Sequence, residues 1–103
     1  MIKLIEGKLV ELGELCRRFN VKQLYIFGSA ATEDVFDPQS SDIDFLIEFI
    51  PMSPVEHANM YFSFLEGLQD MFGRDIDLVE AKAVRNPYLR EAINKSRRRI
   101  YAA

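Results

Sequence analysis

Two short segments of this 103-residue chain open on the same unusual tripeptide. Residues 42–49 (DIDFLIEF) and 75–80 (DIDLVE) both begin Asp-Ile-Asp and continue into aliphatic and aromatic residues. The first alternates Ile43, Phe45, Ile47 and Phe49 on one side with Asp42, Asp44, Leu46 and Glu48 on the other, the period of a strand. Strands are normally poor in Asp. Period two puts each Asp pair on one face with Cα atoms roughly 6.5 Å apart. Carboxylates that close repel each other unless a cation sits between them.

The remaining segments supply a frame for these two strands. Ile2, Ile5, Leu9, Leu12, Cys16 and Phe19 recur at spacings of three and four, which predicts one helix ending at Asn20, a residue suited to a left-handed stop. Residues 21–27 (VKQLYIF) read as a strand running into a Gly28-Ser29 turn, and residues 30–41 as a loop with one helical turn. Ser53, Pro54 and Glu56 form a helix start, and Gly73 a helix stop. Between them Val55, Ala58, Phe62, Leu65, Leu68 and Phe72 read as the core stripe, broadened by Met60, Tyr61, Phe64, Leu68 and Met71. Asn86-Pro87 starts a last helix, followed by Arg97, Arg98, Arg99, Ile100 and Tyr101. The order predicts a small mixed three-stranded sheet backed by helices, of α/β (α+β) class, in a single domain spanning residues 1–103.

Composition narrows the function classes. With 49% apolar and 12% aromatic residues the chain is no disordered tail. No apolar run approaches the roughly 20 residues of a membrane span. The N-terminal stretch carries acids and reads as amphipathic helix, not signal peptide. The lone Cys16 has no internal partner, lies on the helical stripe, and fits a cytoplasmic protein. Residues 1–81 hold fifteen acids against six bases, whereas residues 82–103 hold one acid and seven bases. An acidic body argues against a general nucleic-acid binder, which shows a dominant basic face.

The carboxylates point to phosphate chemistry. Mg²⁺ prefers hard oxygen ligands and is commonly held by one or two carboxylates together with substrate phosphates. Two such ions can align an attacking hydroxyl with a triphosphate leaving group. If the strand of residues 75–80 lies beside that of residues 42–49, Asp77 joins Asp42 and Asp44, since Ile76 and Leu78 then point into the core. Gly28 lets backbone approach a phosphate closely, and the Ser29 hydroxyl adds a donor. Each signal alone has a plain explanation, a turn or a solvated strand end. Their order along the chain carries the argument.

The run LYIFGSAATEDVFDPQSSDIDFLIEF, followed by RDIDLVE, resembles the minimal nucleotidyltransferase family of the DNA-polymerase-β-like nucleotidyltransferase superfamily. The likeness covers nearly the whole chain, including the Asn-Pro-Tyr-Leu-Arg helix and the final Ile-Tyr. It implies that Gly28 and Ser29 contact the nucleotide phosphates, that Asp42 and Asp44 bind both Mg²⁺ ions, and that Asp77 is the third carboxylate of a catalytic set. It implies ATP as nucleotide donor and a HEPN-type toxin as partner, with the chain acting as antitoxin by moving AMP onto a tyrosine. The family usually follows Gly-Ser with a basic residue and a glycine, whereas this chain has Ala30, Ala31, Thr32 and Glu33. That removes one phosphate contact.

Two other readings stay open on the residues alone. One is a binding module that neutralises its partner by covering it. The other is nucleotidyl transfer to RNA through the basic segment from Lys82 to Arg99. His57, without a second His, is a surface or half-buried residue and not a zinc ligand. Met60, Phe64 and Met71 either fill the core or offer a surface to a partner helix or a second copy.

Overall fold

The alternating segments pair side by side, and a further strand joins them. The computed structural model describes residues 1–32 and 42–103. Among them the chain runs α1 (Lys3–Glu6), α2 (Leu9–Arg18), β1 (Val21–Phe27), α3 (Ser29–Thr32), β2 (Ile43–Phe49), α4 (Pro54–Phe72), β3 (Ile76–Glu80), a 3₁₀ turn (Ala81–Ala83), α5 (Pro87–Ser96) and β4 (Arg98–Ala102). The sheet order is β3-β2-β1-β4. β1 is antiparallel to both β2 and β4, while β2 and β3 are parallel and joined through α4. Residues 33–41, which hold Glu33 and most of the predicted loop, lie outside the described residues.

The two faces of the sheet bury unequal clusters. Leu24, Ile26, Ile43, Phe45, Ile47 and Leu78 pack with Ile5, Leu12 and Cys16 from α1 and α2 and with Phe64, Leu68 and Phe72 from α4. On the opposite face Phe27 and Leu46 meet Val84 and Ile93, so α5 covers that side. Leu46 is therefore buried among residues that the alternation assigns to the polar side. Burial pushes the Cys16 thiol up to about 12, so it stays a neutral small hydrophobe at ordinary pH.

Local chemistry explains the element ends. Asn20 takes φ 58° after α2 and Gly73 takes φ 61° after α4, the left-handed stops their residue types suit. Ser53 accepts from the Glu56 N–H at 3.3 Å, with Pro54 in the first helical position. Asn86 accepts from the Tyr88 and Leu89 N–H groups at 2.8 and 3.3 Å. No described helix is long and apolar enough to cross a membrane.

Three expectations are corrected. The sheet has four strands among the described residues, not three, because Arg98–Ala102 extends along β1. Consecutive arginines hide this strand from a period-two reading, yet charge is tolerated where only one edge is paired. The first helix is two pieces broken at Gly7 and Lys8, where glycine weakens the helix, and the break leaves Leu9 41% exposed. The core stripe of α4 is rotated. Phe64, Leu68 and Phe72 face the sheet, with Met60, Tyr61, Leu65 and Met71 packed beside them, while Val55 and Phe62 are 72% and 66% exposed. The second stripe read in the sequence is thus the core-filling one.

Phe64 packs its ring edge-on against Phe19 and Phe49, each with centroids 6.5 Å away. Phe64→Ala should cost about 3–5 kcal/mol in chemical denaturation. Phe62→Ala should change stability by no more than about 0.5 kcal/mol. The reverse ranking would contradict the observed rotation of α4.

Candidate active site

The site is set by where β1 ends. Phe27, its last residue, stands opposite Asp44 on β2. The chain then turns at Gly28, whose φ of +70° is costly for residues with a side chain. A Cβ placed there would lie 2.7 Å from the Asp44 Oδ2, so only glycine allows the backbone this close to the carboxylate. Ser29 opens the single turn α3, closed by the Ala31 N–H donating to the Gly28 carbonyl at 3.1 Å. Ala30 and Ala31 are buried in the main core, and the Ile2 N–H donates to the Ala30 carbonyl at 3.0 Å. The residues that replace a basic side chain and a glycine therefore serve packing and offer no side-chain donor.

The carboxylates come together through strand register. Asp44 and Asp77 are direct partners across the parallel β2–β3 pair, and directly opposed residues project to the same face. Asp42 immediately precedes β2. Asp42 and Asp77 are exposed, whereas Asp44 is half-buried beneath the Gly28 turn. Burial, followed by repulsion from Asp77 and Asp42, pushes Asp44 from 3.8 up to about 6. Among the described residues no three His, Cys, Asp or Glu side chains already stand close enough to ligate one ion. The three aspartates lie at one end of the sheet, and Asp44 feels the charge of the other two.

One contact here has no signature in the sequence. The Gly28 N–H donates to the Ser96 Oγ at 2.9 Å, across 68 residues. That N–H is already satisfied by Ser96, and glycine's part is close approach to Asp44.

The larger cavity is elsewhere. About 520 Å³ opens at the far end of β2 and β3, lined by residues including Phe49, His57, Glu80, Lys82 and Arg85. His57 is half-buried there, with its Nε2 on the Glu80 carboxylate and its ring edge-on to Phe49 at 5.1 Å. A shallower groove of about 190 Å³ runs between α5 and the sheet on the Asp44 face, lined by Leu46, Val84, Arg90, Asn94 and Arg97 among others.

The raised Asp44 value carries a stability consequence. Between pH 3.8 and about 6 the folded protein holds a proton that the unfolded chain releases. Ionised Asp44 therefore costs stability above about pH 6 and nothing below 3.8. In the presence of a chelator, Asp44→Asn should raise unfolding free energy by about 1 kcal/mol at pH 8, allowing for solvent screening, and by nothing at pH 4. Denaturant titrations at the two pH values test this, and a gain of equal size at both would contradict it.

Comparison with known proteins agrees with the geometry. The family model described as a nucleotidyltransferase domain matches residues 12–100. A Methanocaldococcus jannaschii protein named "Putative protein adenylyltransferase MJ0128" is 33% identical over 81 residues, covering 79% of this chain and 78% of that protein. A second from the same organism, "Putative protein adenylyltransferase MJ1379", is 30% identical over 78 residues, 76% of this chain and 75% of its own length. Among solved structures, a toxin–antitoxin complex with AMP-PNP aligns with TM-score 0.65 at 18% identity, over 95% of this chain and 73% of that one. A tri-AMPylated Shewanella oneidensis HEPN toxin in complex with its MNT antitoxin aligns with TM-score 0.58 at 16% identity, over 95% and 72%. The structural likenesses establish the minimal nucleotidyltransferase fold. With the matched domain and these relatives, the chain belongs to the nucleotidyltransferase domain family.

Proposed function

We propose that this protein moves AMP from ATP onto a hydroxyl of a protein partner. The observation that carries the reading is Asp44 opposite Asp77 in parallel register, with Gly28 packed against the Asp44 carboxylate. Family membership and relatives named as protein adenylyltransferases support it.

The donor set suits Mg²⁺. Three hard carboxylate oxygens from Asp42, Asp44 and Asp77 crowd one end of the sheet, and their mutual repulsion is what a divalent cation relieves. Asp42 and Asp44 would hold two ions and Asp77 one of them. Bound there, Mg²⁺ supplies charge neutralisation for the triphosphate and the leaving pyrophosphate.

The chain's own groups do the rest by placement. Gly28 brings the turn backbone close to the Asp44 carboxylate, and the Ser29 hydroxyl donates to a non-bridging oxygen of the β- or γ-phosphate. The acceptor oxygen forms a bond to the α-phosphorus, the bond from that phosphorus to the bridging oxygen breaks, and pyrophosphate departs. The hydroxyl proton passes to a carboxylate oxygen of Asp77. Fixed positioning and charge complementarity supply most of the rate.

The partner we propose is a HEPN-type protein, this chain being its antitoxin. Support comes from solved neighbours in which an MNT antitoxin sits with an AMPylated HEPN toxin. Asp42 and Asp77 are exposed, so a side chain presented by another protein can reach them. Use of ATP is in keeping with a cytoplasmic location.

Incubation with α-labelled ATP, Mg²⁺ and the HEPN-type protein encoded beside this one should label that protein. Asp44→Asn should lower the transfer rate by at least about 100-fold. Gly28→Ala, which drives a methyl group into the Asp44 carboxylate, should do the same. No label transfer by the wild type, or equal transfer by Asp44→Asn, would refute the proposal.

A further inference from the structure

Nothing in the sequence pattern marks Ser96. We infer that it is a positioning residue of the candidate site, holding the Gly28 turn in place against the Asp44 carboxylate; the inference rests on the nucleotidyl-transfer reading for its effect on ATP.

The hydrogen bonds are directional. Ser96 Oγ donates to the Ala92 carbonyl at 3.0 Å, one helical turn back, which fixes the hydroxyl rotor. A lone pair of the same oxygen accepts the Gly28 N–H at 2.9 Å. A hydroxyl offers one donor and two acceptor sites, so both bonds form at once. Without Ser96 the Gly28 N–H loses its acceptor, and a backbone donor does not stay unpaired where it can turn toward another one. The Asp44 carboxylate is an acceptor close by, its Oδ2 lying 2.7 Å from where a Gly28 Cβ would be. Ser96 thus keeps the Gly28 N–H from competing for the carboxylate that the proposed function gives to a cation.

Ser96 is itself held. It is the last residue of α5, which is capped at its start by Asn86 and anchored by buried Ile93 against Phe27 and Leu46. The next residue, Arg97, places its guanidinium over the Tyr25 ring at 4.9 Å. Helix, anchor and stacked cation all refer Ser96 to β1, the strand from which Gly28 emerges. The end of the chain therefore braces its phosphate turn.

Two variants and two measurements test this. Ser96→Ala removes the acceptor, and Ser96→Thr keeps it. In ¹⁵N-labelled protein, Ser96→Ala should speed exchange of the Gly28 amide by about 5–10-fold, the factor for one lost neutral hydrogen bond, leaving the Leu24 and Ile26 amides unchanged. The KM for ATP in partner labelling should rise by a similar factor with kcat within about twofold. Ser96→Thr should restore both. Unchanged Gly28 exchange in Ser96→Ala overturns the inference, as does equal acceleration at Leu24 and Ile26, which would make Ser96 a stability residue only. Wild type without ATP transfer would sink the proposed function, and the Gly28 amide would still decide the role of Ser96.

Discussion

The parallel pairing of β2 with β3 sets Asp44 directly opposite Asp77, and the rest of the molecule is arranged around that register. A slip of one residue would send one aspartate to the other face, since side chains alternate along a strand. The register is held by apolar residues on the opposite face. Ile43, Phe45, Ile47 and Leu78 point into the cluster under α2 and α4, and the aspartates are what remains on the alternate positions. The larger core thus positions a group of charges that the fold would otherwise avoid.

That arrangement divides the sheet's second face into two zones. Phe27 and Leu46 are covered by Ile93 of α5 and by Val84. At the strand starts Asp42 and Asp77 are exposed and Asp44 is only half-buried. Partial burial matters chemically. It raises the cost of ionising Asp44 without sealing the carboxylate from solvent.

Much of this was legible in the residues, for identifiable reasons. Period-two alternation and capping residues are local, so the strands at residues 21–27 and 43–49 and the starts of α4 and α5 follow from short windows. The candidate carboxylates were legible because Asp at i and i+2 on a strand is unusual, and Asp77 followed from which neighbours needed burial. β4 was not, because three arginines mask an edge strand stabilised by pairing to β1. The α4 stripe was misread because its apolar positions span a wide arc, and only tertiary contact selects Phe64 over Phe62. Ser96 was beyond reach, since its partner Gly28 is 68 residues away and each is unremarkable alone.

The central claim is that Asp42, Asp44 and Asp77 form one divalent-cation site beside the Gly28 turn. Mn²⁺ is a paramagnetic substitute for Mg²⁺ and broadens nearby NMR signals. Titrated into ¹⁵N-labelled protein with a non-hydrolysable ATP analogue, it should erase first the amide signals of Gly28, Asp44 and Asp77, and spare those of His57 and Glu80 at the far end of the sheet. Broadening centred on His57 and Glu80, or no selective broadening at the aspartates, would contradict the account.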